Sequence, residues 1–86
     1  MRVQRVPADD LLVRDGETAL LVDGMAVRLS ELSAAIYDLT EDMVEVERLA
    51  RELEAHFGAP EGSTSMDATG HAVTELLRHG VLRSDP

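Results

Sequence analysis

His71, Glu75 and His79 stand at a spacing that can do chemistry. At i, i+4 and i+8 on a helix they place two imidazoles and a carboxylate along one side, a donor set suited to a divalent metal. Their span argues against one shared ion. From i to i+8 a helix rises about 12 Å, whereas zinc holds its ligands at about 2 Å, so only a neighbouring pair can meet one ion. The trio reads as a solvated helix face, and His56 as a surface residue favoured by a helix C-terminus. The paired acids Asp9-Asp10 and Glu41-Asp42 stand where loops and helix starts favour carboxylates anyway. The sequence has no Cys, which excludes disulfides, thiolate chemistry and cysteine-ligated metals. A Ser-His-Asp hydrolase needs a pocket and a nucleophile elbow, and a short chain whose only aromatics are Tyr37 and Phe57 offers neither. No catalytic residue, metal site or cofactor is expected, and the chain reads as a binding protein rather than an enzyme.

Eighty-six residues allow one domain. With 44% hydrophobic residues and a mean hydropathy of -0.10, the chain can fold around a thin core of Leu, Val, Met and Ala. Seventeen acidic against eight basic side chains, all eight Arg, give a net charge of -9. A charge of that sign repels DNA phosphates and anionic lipid, so neither nucleic acid nor membrane is an expected partner. Met1 to Pro7 lacks the apolar run of a signal peptide and no stretch is long enough to span a bilayer, so a soluble cytoplasmic protein is expected.

The elements that must position any site are legible in turn and cap residues. Asp15-Gly16 and Asp23-Gly24 are two-residue hairpin signals between apolar runs, predicting strands at Leu11 to Arg14, Glu17 to Val22 and Met25 to Leu29. With two-residue loops Arg14 faces Glu17 and Val22 faces Met25. One face then collects Leu11, Val13, Thr18, Leu20, Val22, Met25, Val27 and Leu29 as the expected core; the other is mixed. Ser30 is a plausible N-cap for a first helix with Leu32, Ala35, Ile36 and Leu39 on its stripe. A second helix carries Val46, Leu49, Ala50, Leu53 and Phe57 and ends at Gly58. Its start is open between a capping box of Asp42 with Glu45, which brings Met43 into the helix, and a short irregular or extended link through Met43 and Val44. Thr64 and Asp67 cap a third helix bearing Met66, Thr69, Val73, Leu76 and Leu77, continuous through Gly70 and stopped by Gly80. The fold class is α+β, a winged helix-turn-helix-like domain of a three-stranded antiparallel meander followed by three helices, with an ordered core at about residues 9–83.

In such a meander the strand Met25 to Leu29 is an edge with one row of unpaired backbone groups. Proteins usually guard edges with Pro, Lys, a bulge or a covering helix, and here only Arg28 supplies charge. Either a helix covers this strand or an extended peptide pairs with it as a fourth strand. On the second alternative, Val27→Pro should abolish binding by removing a donor from the ladder.

Three short strands, a helix opening at Leu29-Ser30 and running through Ala34-Ala35-Ile36-Tyr37-Asp38-Leu39, a helix from Val46 to Phe57-Gly58, and the run Ala72-Val73-Thr74-Glu75-Leu76-Leu77-Arg78-His79-Gly80-Val81-Leu82 resemble the PqqD-like family. Its members are precursor recognition elements for ribosomally synthesised, post-translationally modified peptides (RiPPs). The resemblance covers Leu11 to Leu82 and rests on apolar spacing. Many relatives have Asn at Ser30 and a Gly soon after the first helix, where this chain has Thr40-Glu41. The resemblance implies that a leader peptide pairs with the third strand, in a groove between it and the third helix. It carries peptide-binding roles to Met25, Ala26, Val27, Arg28 and Leu29, and to Ala72, Val73, Leu76 and His79. Stand-alone copies of this length resemble those of lasso-peptide pathways. There a leader peptidase and a macrolactam-forming cyclase act on the bound precursor, whose leader docks with an aromatic residue and a proline.

Two rival classes fit the same elements. A winged-helix DNA-binding regulator would read the major groove with its third helix, but that helix offers Arg78 as its only Arg and no Lys, too few cations for several phosphate contacts. An interaction module would dock the acidic second helix, with Glu45, Glu47, Glu52 and Glu54, on a basic surface.

Overall fold

A computed structural model describes residues 1–85 in the order β1 (Arg2–Arg5), β2 (Asp10–Arg14), β3 (Glu17–Val22), β4 (Met25–Leu29), α1 (Glu31–Leu39), β5 (Val44–Glu45), α2 (Val46–Phe57), α3 (Ser65–Arg78) and β6 (Leu82–Asp85). The architecture is the expected α+β one, a meander followed by three helices. Both Asp-Gly pairs turn left-handed, with φ of 53° and 79° at Asp15 and Gly16 and of 49° and 78° at Asp23 and Gly24. These are the angles of type I′ turns, which Asp tolerates and Gly adopts freely. They close the sheet β2-β3-β4 in the expected register, Arg14 opposite Glu17 and Val22 opposite Met25.

Burial follows the pleat only where a helix lies over it. Leu20, Val22 and Leu29 are buried and Val27 is half-buried, but Leu11, Val13 and Met25 on the same face are 51%, 68% and 69% exposed. The expected core face is therefore corrected for β2 and for the start of β4. Both project past the helices, so alternation there names a face without a layer to cover it.

Ser30 caps α1, its hydroxyl accepting the Ser33 N–H at 3.1 Å. Thr40 ends that helix at φ -112°, a conformation open to any L-residue, so no Gly is needed there. Its buried hydroxyl donates to the Ile36 carbonyl at 2.8 Å. Of the two starts open for α2, the extended one is found, as Val44–Glu45 pair with β1 before Val46 opens the helix. Val46, Leu49, Ala50 and Leu53 face the core, whereas Phe57 at the helix end is about half exposed. Thr64 caps α3 through the Asp67 N–H at 3.0 Å, and α3 runs unbroken through Gly70.

A second sheet, β5-β1-β6, extends the ordered core beyond the expected residues 9–83. Arg2 lies opposite both Glu45 and Asp85, and Val3 opposite Val44 and Ser84. Arg2 pairs with Asp85 through its guanidinium. Val3 has no exposed surface and joins Leu49, Val81 and Leu82 in the core. The sheet closes onto the rest of the chain through backbone bonds from Arg5 to the Thr40 carbonyl and from Val6 to the Val81 carbonyl, each 2.8 Å. No helix among the described residues is long and apolar enough to cross a membrane.

Candidate functional site

β4 pairs with β3 and with no other strand among the described residues, so one row of its backbone groups faces outward. The turn decides which row. Val22 and Met25 flank a two-residue loop and so exchange both hydrogen bonds, and alternation then commits the amides of Met25, Val27 and Leu29 to β3. The N–H and C=O groups of Ala26 and Arg28 point away. This corrects the Val27→Pro expectation. Proline at Val27 would break the ladder to Leu20 inside the sheet, whereas the free donors belong to its two neighbours.

Beside this edge runs an open groove of about 350 Å³. Ala26 to Ser30 line it from β4 and the turn into α1, Ser33 from α1, and Glu75, Leu76 and His79 from α3. Its floor is apolar because Leu29 and Leu76 are buried. Its rim is charged. Arg28 reaches Glu17 at 3.7 Å, Glu75 holds Arg78 at 3.0 Å, and the His79 imidazole lies 3.9 Å from the same carboxylate. α3 therefore lies alongside β4 without capping its outer edge.

Of the residues the resemblance singles out, the groove brings together Ala26, Val27, Arg28, Leu29, Leu76 and His79. Met25 stands exposed at the turn, Ala72 is half-buried against the core, and Val73 is buried within it; none of the three lines the groove. Glu75, Ser30 and Ser33 line it without having been singled out. Glu75 could have been found, since it stands one position before Leu76 and four before His79 on the same helical side. Ser33 carried no signal beyond its place one turn after the cap.

A separate concavity of about 400 Å³ lies between the start of α1, the end of α2 and the start of α3, lined by Leu32, Leu53, Phe57 and Ala68 among others. It contains no unpaired strand edge. Among the described residues no three His, Asp or Glu side chains converge where they could hold a metal ion.

Leu76 and His79 separate wall from core. Leu76→Ala removes a buried side chain and should cost about 2–5 kcal/mol of stability, read as a lower urea midpoint. His79 is exposed, so His79→Ala should leave the melting temperature within about 4 °C, the most expected of a surface change below 0.5 kcal/mol, and should weaken peptide binding by a few-fold. A His79→Ala protein that melts early but binds normally per folded molecule would move the groove away from this end of α3.

No protein-family model, no curated protein and no solved structure matches the chain.

Proposed function

We propose that this domain binds the leader segment of a ribosomally synthesised precursor peptide by adding it as a strand to β4, and delivers it to maturation enzymes in the cytoplasm. The observation that carries this reading is the unpaired edge of β4 facing an apolar floor beside α3. Backbone bonds to Ala26 and Arg28 supply affinity that is indifferent to sequence. Selection comes from alternate leader side chains, every second one reaching the floor made by Leu29 and Leu76. The likeness to PqqD-like recognition elements supports the choice of ligand, and its lasso-peptide branch points to a leader peptidase and a macrolactam-forming cyclase as the enzymes served. The domain itself is not catalytic.

The test is a panel of synthetic extended peptides, including ones with an aromatic residue and a proline, titrated into the protein while amide exchange is followed by NMR. Binding should slow exchange at Ala26 and Arg28 and leave Met25 and Val27, already paired within the sheet, almost unchanged. Peptides that bind without protecting Ala26 and Arg28 would rule out strand addition. Salt separates this reading from DNA recognition. A duplex held by 6–10 phosphate contacts loses about 10³–10⁵ in affinity between 50 and 200 mM salt, whereas the peptide complex should change by only a few-fold. A sequence-selective gel shift at physiological salt would favour the regulator instead.

A further inference from the structure

The opposite edge of the meander is also free. Among the described residues β2 pairs only with β3, and all five of its residues are exposed, Leu11, Leu12 and Val13 included. With Arg14 and Glu17 closing a two-residue loop, the amides of Arg14, Leu12 and Asp10 are committed to β3, and those of Leu11 and Val13 face outward. The Leu11 N–H is covered by its neighbour, the Asp10 carboxylate, at 2.8 Å.

The sequence of this edge, Asp10-Leu11-Leu12-Val13-Arg14, is complementary to itself when reversed. Laid antiparallel about a two-fold axis at Leu12, Leu11 meets Val13 of a second copy, and each such pair exchanges two backbone hydrogen bonds once the Asp10 carboxylate turns from the Leu11 N–H to Arg14 of the second copy. Leu12 meets Leu12, and Asp10 meets Arg14 at both ends. The Leu12 and charge pairs fall at the non-hydrogen-bonded positions, where opposing Cα atoms are only about 4.5 Å apart. Registers centred on Leu11 or Val13 also satisfy the outward amides but leave Asp10 and Arg14 without each other. Arg14 is free for the task, because the Glu17 carboxylate opposite it reaches Arg28 instead. Asp9 and Asp15, next outward on either side, fall beyond the strand: Asp9 donates its N–H back to the Leu21 carbonyl at 2.8 Å, and Asp15 is in the turn.

We infer that β2 is a self-association edge, pairing with β2 of a second copy of this chain into a six-stranded sheet of order β4-β3-β2-β2-β3-β4. Both β4 edges stay at the outside, so association leaves each groove open and stands whether or not the groove binds a peptide. The short strand makes a small interface and hence a weak, concentration-dependent dimer.

The absence of Cys makes the test direct. Leu12→Cys places two thiols on the axis within the separation a disulfide can span, whereas thiols from Val13→Cys lie two residues off register, beyond the roughly 7 Å limit. Under mild oxidation the first variant should form a disulfide-linked dimer and the second should not. Asp10→Arg or Arg14→Asp alone, each in the Leu12→Cys background and checked for fold by circular dichroism, should lower cross-linking several-fold, and the double reversal should restore it. The parent chain should show a sedimentation-equilibrium mass rising from 9.4 kDa toward twice that value. Equal cross-linking at positions 12 and 13, a double reversal that fails to recover, or a mass that stays at one chain up to about 1 mM, where the dimer would be worth less than about 4 kcal/mol, would overturn the inference.

Discussion

Arg28→Pro should remove peptide binding while leaving the domain folded. The Arg28 amide points away from β3, so proline there forfeits no bond within the sheet, and edge strands accept proline where the N–H faces solvent. An added strand loses a donor at the middle of its ladder and meets the ring where its own backbone must lie. A neutral hydrogen bond contributes about 0.5–1.5 kcal/mol net, and a buried partner left unpaired costs about 1–3 kcal/mol more. The combined loss corresponds to at least about tenfold and up to about a thousandfold in affinity, at 1.4 kcal/mol per factor of ten. Arg28→Ala is the control. It keeps the amide and gives up only the exposed contact with Glu17 at 3.7 Å, a pair of the kind that contributes little, so its affinity should stay within a few-fold. Calorimetric titration reads both affinities and circular dichroism reads the fold. An Arg28→Pro protein that is folded and binds as tightly as the parent means the peptide does not pair with β4. Val27→Pro should instead lower stability, because its amide is committed to Leu20.

The second large effect is expected far from the groove. Val3→Asp puts a carboxylate where no surface is exposed, on the central strand of β5-β1-β6. The change gives up about 1.5–3 kcal/mol of apolar burial and adds several kcal/mol of desolvation for an ion without a partner. At roughly 0.05–0.15 kcal/mol per residue, the whole domain has about 4–13 kcal/mol to lose. The variant should therefore be largely unfolded at 25 °C, with no cooperative urea transition, while Val3→Ala should unfold cooperatively at a lower midpoint. Should Val3→Asp keep the parental midpoint, β1 does not belong to the core.

Local chemistry made the meander and the helices readable from the chain alone. Two Asp-Gly pairs set two turns, each turn set a register, and the register assigned every side chain from Leu11 to Leu29 to a face. Ser30, Thr64, Gly58 and Gly80 marked helix ends because a cap or a left-handed residue acts within a few positions of itself. From the same register follows which amides of β4 are free, so the outward amides of Ala26 and Arg28 are already implicit in the Asp23-Gly24 turn. The second sheet had no such local mark. Its strands are two to four residues long, too short for an alternation to show, and Arg2 meets Asp85 with nearly the whole chain between them and no turn to announce the pairing. Tertiary structure also decided which apolar residues are covered. Leu11, Val13 and Leu20 share a face, yet Leu20 alone is buried, because a pleat dictates the direction of a side chain while burial requires another layer within reach. The same reason separates Val73 from Leu76. Both lie on the apolar stripe of α3 and both are buried in the core, and only the position of β4 beside that helix makes Leu76 the floor of a groove as well.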